Sequence, residues 1–143
     1  MTRPPLPAMI LGAAGLIPFV SLAISIHMGA AIWADHATQA VLVYGAVILS
    51  FMGGCRWGFA CAGLGDGPRF WPLAVSVAPA LLAWGAALVG DKAGLLMLSG
   101  GLLLLFVADE ELTRTGGAPE WWSALRAPLS VIAALSLFAA ALA

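Results

Sequence analysis

AVLVYGAVILSFMGGCRWGFACAG, residues 40–63, is an apolar run that carries one arginine, Arg56. A hydrocarbon core of roughly 30 Å is crossed by about 20 helical residues rising 1.5 Å each, so the run predicts a transmembrane helix. Along it Ala46, Ser50, Gly54, Gly58 and Ala62 recur every fourth residue. That stripe has almost no side-chain volume, which suits it to close packing against another helix backbone. Arg56 lies about 200° around the helix from Gly54. Charge and stripe therefore face different neighbours, and the helix is expected to be central in its bundle.

The rest of the chain agrees with a membrane setting. It is 62% hydrophobic and 9% charged over 143 residues, with a mean hydropathy of +1.02, against roughly 25% charged residues in soluble domains. No polar segment exceeds about twenty residues, where a separate soluble domain needs roughly 50. The expectation is an all-α integral membrane bundle of five transmembrane helices in a single domain, 1–143, with spans at about 6–33, 40–63, 70–89, 93–111 and 124–143. Six Lys plus Arg against seven Asp plus Glu give a net charge of −1 without a cationic cluster, which argues against a nucleic-acid partner.

Each boundary has a local reason. Pro18 sits near the middle of span one, where it removes a backbone hydrogen bond and kinks the helix. The run from Leu6 to Trp33 is longer than the 7–15-residue apolar core of a secretory signal, so it is expected to be retained despite the small residues Gly29, Ala30 and Ala31. Residues 35–38 read as a short turn, with Asp35 or Thr38 capping the second helix. GLGDGP, residues 63–68, is a turn by every local signal. In span three Pro72 falls in the first turn and Pro79 inside, and residues 90–92 make the next turn. Span four stays apolar only from Ala93 to Ala108, sixteen residues or about 24 Å. To cross, it must thin the bilayer or carry Asp109, Glu110 and Glu111 to the surface. Residues 109–126 read as a surface turn leading into a half-buried helix start, and Pro128 bends span five or marks where it begins.

Five crossings put Arg3, Arg69, Arg114 and Arg126 on one side and Lys92 on the other. The positive-inside rule places the arginine side in the cytoplasm, or in the matrix of a mitochondrion, with the C-terminus outside. Trp57, Trp71, Trp121 and Trp122 fall toward the inner surface and Trp33, Tyr44 and Trp84 toward the outer one, as interfacial aromatics do.

The polar residues inside spans are the candidates for chemistry. A lone arginine at a helix centre costs about 2.5–3.5 kcal/mol on insertion scales, so Arg56 is expected to pair, to face a cavity or to reach the surface. Span four brings Asp109, the first choice of partner, and Glu110, the second, to the same side. Such a contact is either a structural pair locking two spans or part of a site for an anion, headgroup or substrate. His27, Tyr44 and Ser99 share a depth near the outer end and read as interior hydrogen-bonding groups. Gly100 and Gly101 read as marks of close helix approach. Cys55 and Cys61 lie about 9 Å apart along one helix, beyond the roughly 7 Å a disulfide spans. His27 and His36 lie toward the other end, so no metal site is expected. No catalytic spacing is present, hence no reason to propose an enzyme or a cofactor.

Three stretches, LGAAGLIPFV (11–20), YGAVILSFMGGCRWG (44–58) and APEWWSALRAPLS (118–130), resemble the uncharacterised membrane-protein family that includes animal transmembrane protein 69 and many proteobacterial proteins. Cys55 departs from the small or aliphatic residue that precedes the arginine in that pattern. In the late stretch an aromatic residue, Leu125, Arg126, Pro128, Leu129 and Ser130 match it. The resemblance implies several spans in a bacterial inner or mitochondrial inner membrane and implies no reaction. Its matching residues concentrate at the inner face, where an expected polar cluster of Arg56, Asp109, Glu110 and Arg126, with Trp57 and Trp122, joins spans two, four and five. The leading functional expectation is an accessory or scaffold protein that holds lipid, a membrane-protein partner or a second copy of itself. The alternative is a small-solute transporter or channel with an anion site around Arg56; a membrane enzyme comes third.

Overall fold

Lipid and protein core are both apolar, so in this chain side-chain size and a few polar groups, rather than hydropathy, separate buried from lipid-facing positions. A computed structural model describes residues 2–29 and 34–143, the side chains of 34 and 35 excepted. Its helices are α1 (Leu6–Gly15), α2 (Ile17–His27), α3 (Ala34–Cys61), α4 (Phe70–Val89), α5 (Asp91–Arg114) and α6 (Trp122–Leu142), with no strand among the described residues. Taken together as Leu6–His27, α1 and α2 join the other four as five segments long and apolar enough to cross a membrane. The place expected for Trp33, the small residues Ala30 and Ala31, and a cap by the Asp35 side chain lie outside what is described.

The first span is two helices. Pro18 has no N–H, and its ring excludes the carbonyl four residues back. The chain accommodates this upstream of the proline: the Leu16 N–H turns back to the Ala13 carbonyl at 3.1 Å, and α2 restarts with Pro18 in its first turn, where proline is tolerated. At the break the Tyr44 hydroxyl of α3 donates to the Gly15 carbonyl at 2.8 Å. The Tyr44 ring meets Phe19 edge-on, with centroids 4.9 Å apart. α2 therefore docks on α3 and α6, whereas α1 buries none of its residues, packs on α6 and meets α3 through Tyr44 at its last residue, Gly15.

Three other helices start or end away from the expected places. α3 begins at Ala34, so residues 35–38, expected as a turn, are its first turn. A helix's first N–H groups lack intrahelical acceptors, and polar residues suit that turn as well as they suit a loop. α5 runs past its acidic residues to Arg114, closed by an Arg114–Glu111 ion pair and by the Thr113 and Thr115 hydroxyls on the Asp109 and Glu111 carbonyls. α6 starts at Trp122 and carries Pro128 in its second turn without ending.

The buried line of α3 is Leu42, Gly45, Leu49, Gly53, Arg56 and Ala60, steps of three and four residues that keep one helix face inward. The stripe expected to pack, Ala46–Ser50–Gly54–Gly58–Ala62, is half-buried at its first two members and exposed at the rest. Nothing lies within 4 Å of where a Cβ on Gly54 or Gly58 would be. The close crossing is instead at Gly53, where a Cβ would stand 2.5 Å from the Ser76 carbonyl oxygen and 3.2 Å from Pro79 of α4. One residue is 100° of rotation, and small residues occur on both faces, so their spacing alone did not choose between them. Likewise Gly101, not Gly100, meets a neighbouring helix, at Leu82.

The half of the bundle nearest Lys92 is solid at its centre: Val41, Leu42, Leu49, Leu95, Leu98 and Leu137 are essentially inaccessible. At the opposite end the α3–α4 and α5–α6 loops are tied together, the Gly65 N–H donating to the Gly116 carbonyl at 3.0 Å. Gly65 has φ +60° and its Cβ would lie 2.9 Å from Gly117 Cα, so both the conformation and the space require glycine there.

Candidate functional site

The apolar run of α5 ends at Asp109, whose side chain is 0% exposed. Burying a carboxylate in a membrane bundle demands partners, and two helices supply them. Arg56 of α3 donates from Nη1 to Oδ1 at 2.6 Å, and Arg126 of α6 donates from Nε to Oδ2 at 3.0 Å. Their side chains are 10% and 4% exposed. One aspartate thus joins α3, α5 and α6, and two guanidinia against one carboxylate leave the buried group one positive charge in excess. The Arg126 guanidinium lies 6.0 Å from the Trp122 ring centroid, at the outer limit of a cation–π contact. Phe59 meets that ring edge-on, with centroids 4.9 Å apart.

Two residues expected in the cluster are elsewhere. Glu110, a turn-step of 100° beyond Asp109, is exposed and accepts from the Ser123 hydroxyl rather than from Arg56. Trp57, the same step beyond Arg56, is turned outward and exposed.

Three buried polar atoms find no partner among the described residues: Arg126 Nη2, Trp122 Nε1 and Ser130 Oγ. Residues 122, 126 and 130 are four apart and share one face of α6. All three line a cavity of about 290 Å³, whose other walls come from Leu11 and Gly12 of α1, Met52 and Cys55 of α3 and Leu129 of α6. Leu11 and Phe51, also on its lining, are exposed, so the cavity opens sideways between α1 and α3. Upstream of the Tyr44–Gly15 contact α1 leans on α6 and diverges from α3, which leaves this space. Arg56 lines a different cavity of about 320 Å³ at the loop end, with Asp66 and Thr115. The two arginines of Asp109 therefore border two separate spaces.

Residues 4–142 match the family described as Protein of unknown function (DUF3429). The chain belongs to that family. Among its relatives, Transmembrane protein 69 of Xenopus tropicalis is 42% identical over 138 residues, covering 93% of this chain and 53% of that protein. Transmembrane protein 69 of Mus musculus is 29% identical over 133 residues, covering 92% and 54%. The DUF3429 chain thus spans about half the length of these curated relatives. No solved structure matches it. Family, composition and helices together make it a membrane protein with several crossings.

In this DUF3429 bundle the three polar residues expected in the interior, His27, Tyr44 and Ser99, each meet one carbonyl of another helix, whereas Ser21, Ser25, Ser76 and Ser136 bond back to their own helices. Tyr44 bonds Gly15 at the break in span one, and Ser99, buried, donates to Ala134 at 2.8 Å. His27, expected in the interior, is exposed: it sits at the last residue of α2, and its Nε2 lies 2.9 Å from the Ala139 carbonyl of α6. A carbonyl only accepts, so Nε2 carries the proton. Cys55 is half-buried and Cys61 exposed, both as free thiols. Sequence reasoning missed Ser123 and the cavity. The available signal was Trp122, Arg126 and Ser130, polar groups at every fourth position of an otherwise apolar helix.

Proposed function

We propose that this membrane protein is a non-catalytic accessory protein of a bacterial inner or mitochondrial inner membrane that holds a membrane-embedded partner at the inner half of its bundle. The observation that carries the reading is the buried Arg–Asp–Arg group with a cavity beside it, while the centre of the outer half is filled by side chains. What the inner half offers is shape, hydrogen-bond donors and one excess positive charge rather than groups poised for bond-making. A lipid is served by the lateral cavity. A protein partner, or a second copy of this chain, would lie along the open face at Gly54 and Gly58, where a helix backbone can approach closely.

The arginine-bearing end is assigned to the cytoplasm or matrix, since cations are retained on that side. Transport is the weaker reading, because a solute moving through the bundle would have to pass the tightly packed leucines of the outer half. Purification from native membranes in gentle detergent tests the proposal: a stoichiometric lipid or membrane protein is expected to travel with the chain. A solitary chain that moves a solute after reconstitution overturns it.

A further inference from the structure

The cavity between α1, α3 and α6 has a definite chemical character, and giving it an occupant rests on the reading that the inner half holds a membrane partner. Three residues on its α6 wall each hold an unpartnered buried atom: Arg126 Nη2 and Trp122 Nε1 can only donate, and the Ser130 hydroxyl can donate as well. The carboxylate nearby has both oxygens engaged, Oδ1 by Arg56 and Oδ2 by Arg126. A ligand head must therefore accept hydrogen bonds, and the excess positive charge of the Arg–Asp–Arg group favours one that is anionic.

Size narrows the choice. All three polar atoms have almost no surface open to a water molecule, so a ligand head reaches them only as the side chains of Arg126, Trp122 and Ser130 turn toward the cavity, and it must be small and bear no further substituent. A terminal carboxylate meets that condition, with two oxygens and about four lone pairs for three donors. A phosphodiester, substituted on both sides, does not. The volume of about 290 Å³ lies at the lower end of the roughly 300–1,000 Å³ of small-molecule sites. Beyond the polar face of α6 the walls are apolar, and the opening between Leu11 and Phe51 faces lipid rather than water. α1, which buries none of its own residues, is the wall that can yield as a chain enters.

We propose that this cavity binds a single-chain fatty acid taken from the bilayer, its carboxylate on Arg126, Trp122 and Ser130 and its tail between α1 and α3. The test uses the full chain with Cys61→Ser, reconstituted in zwitterionic phosphatidylcholine nanodiscs and offered oleate, oleyl alcohol or phosphatidylglycerol. Native mass spectrometry reads the adduct, and alkylation of Cys55, which lines the cavity, reads its location. One oleate is expected per chain, slowing Cys55 alkylation about tenfold, while oleyl alcohol and phosphatidylglycerol do neither. Arg126→Gln is expected to weaken oleate binding at least tenfold. Ala8→Trp fills the cavity from the α1 wall while leaving Arg56, Asp109 and Arg126 in the chain, and is expected to abolish binding in a chain that still folds. Oleate binding undiminished in Ala8→Trp, or equal retention of oleyl alcohol, overturns the proposal. Phosphatidylglycerol bound in place of oleate overturns the fatty acid and leaves the lipid-holding reading intact. No adduct of any kind, with Cys55 indifferent to all three, is the result of a cavity holding only water and sinks both.

Discussion

Asp109 decides the arginine-rich half of the protein. A carboxylate shared between two guanidinia satisfies its own lone pairs, but each arginine depends on it for charge compensation in a medium of low dielectric. Asp109→Asn keeps the shape and removes the charge. Breaking a buried pair costs about 3–5 kcal/mol, so the variant is expected to unfold at markedly lower denaturant in detergent, followed by circular dichroism. Replacing all three residues by apolar ones of similar volume is expected to recover most of that loss, as buried ionic groups exchanged whole often do. Glu110→Gln makes the internal control: its side chain is exposed, and a change within about 0.5 kcal/mol is expected, as at most surface positions. Equal losses from Asp109→Asn and Glu110→Gln would remove the distinction between them. The same contrast marks how far the sequence could be read. That Arg56 needs a partner follows from the cost of burying it, and depth alone pointed to Asp109 ahead of Glu110. Its place at the start of span five puts Arg126 in the same expected cluster; that it takes Oδ2 while Arg56 holds Oδ1, and that Glu110 turns away, depends on helix rotation, which an apolar sequence does not encode.

At the scale of the element, length and composition locate a span while leaving its rotation open. The apolar run of α4 coincides with its helix, Phe70–Val89, because proline, glycine and charge bound it on both sides. α3 shows the limit: its small residues mark two faces, and only contact with α4 selects Gly53. Gly53→Ala puts a Cβ 2.5 Å from a backbone oxygen, which must force the helices apart, at the about 1–3 kcal/mol typical of overpacking. Gly54→Ala meets empty space and is expected to leave stability unchanged or slightly raised, through better helix propensity. Thermal unfolding of the two variants side by side checks the pair, and the reverse order would mean that the Gly54 face is the packed one. The break in span one makes a second case. Pro18 announces a kink, but its place at Leu16 and its support by Tyr44 arise only once α3 is alongside. Tyr44→Phe removes the hydrogen bond to Gly15, worth about 0.6–1 kcal/mol, and is expected to speed amide exchange in residues 13–20 more than elsewhere in the first span.

For the whole molecule, everything functional depends on which end faces which compartment. The α3–α4 and α5–α6 loops are bonded to each other through Gly65 and Gly116, so they share a side. Ala8 of α1 and Trp121 line one cavity, which brings the start of the first span to that side too. Lys92, in the first turn of α5, stands at the other end. The arginine-rich end is then the inner one if cations are held back during insertion. Two thiols separate this orientation from its reverse. Cys61 closes α3 at the arginine-rich end and is exposed, and Lys92→Cys in a chain lacking the native cysteines marks the opposite end. In intact spheroplasts a membrane-impermeant maleimide is expected to label the thiol introduced at position 92 at once and to reach Cys61 only after permeabilisation. The opposite pattern inverts the orientation and moves the Arg–Asp–Arg group, with its cavity, toward the outer leaflet. Labelling of both thiols from one side would mean that α4, the one helix between positions 61 and 92, does not cross, and its close contact with α3 at Gly53 would then need a different account.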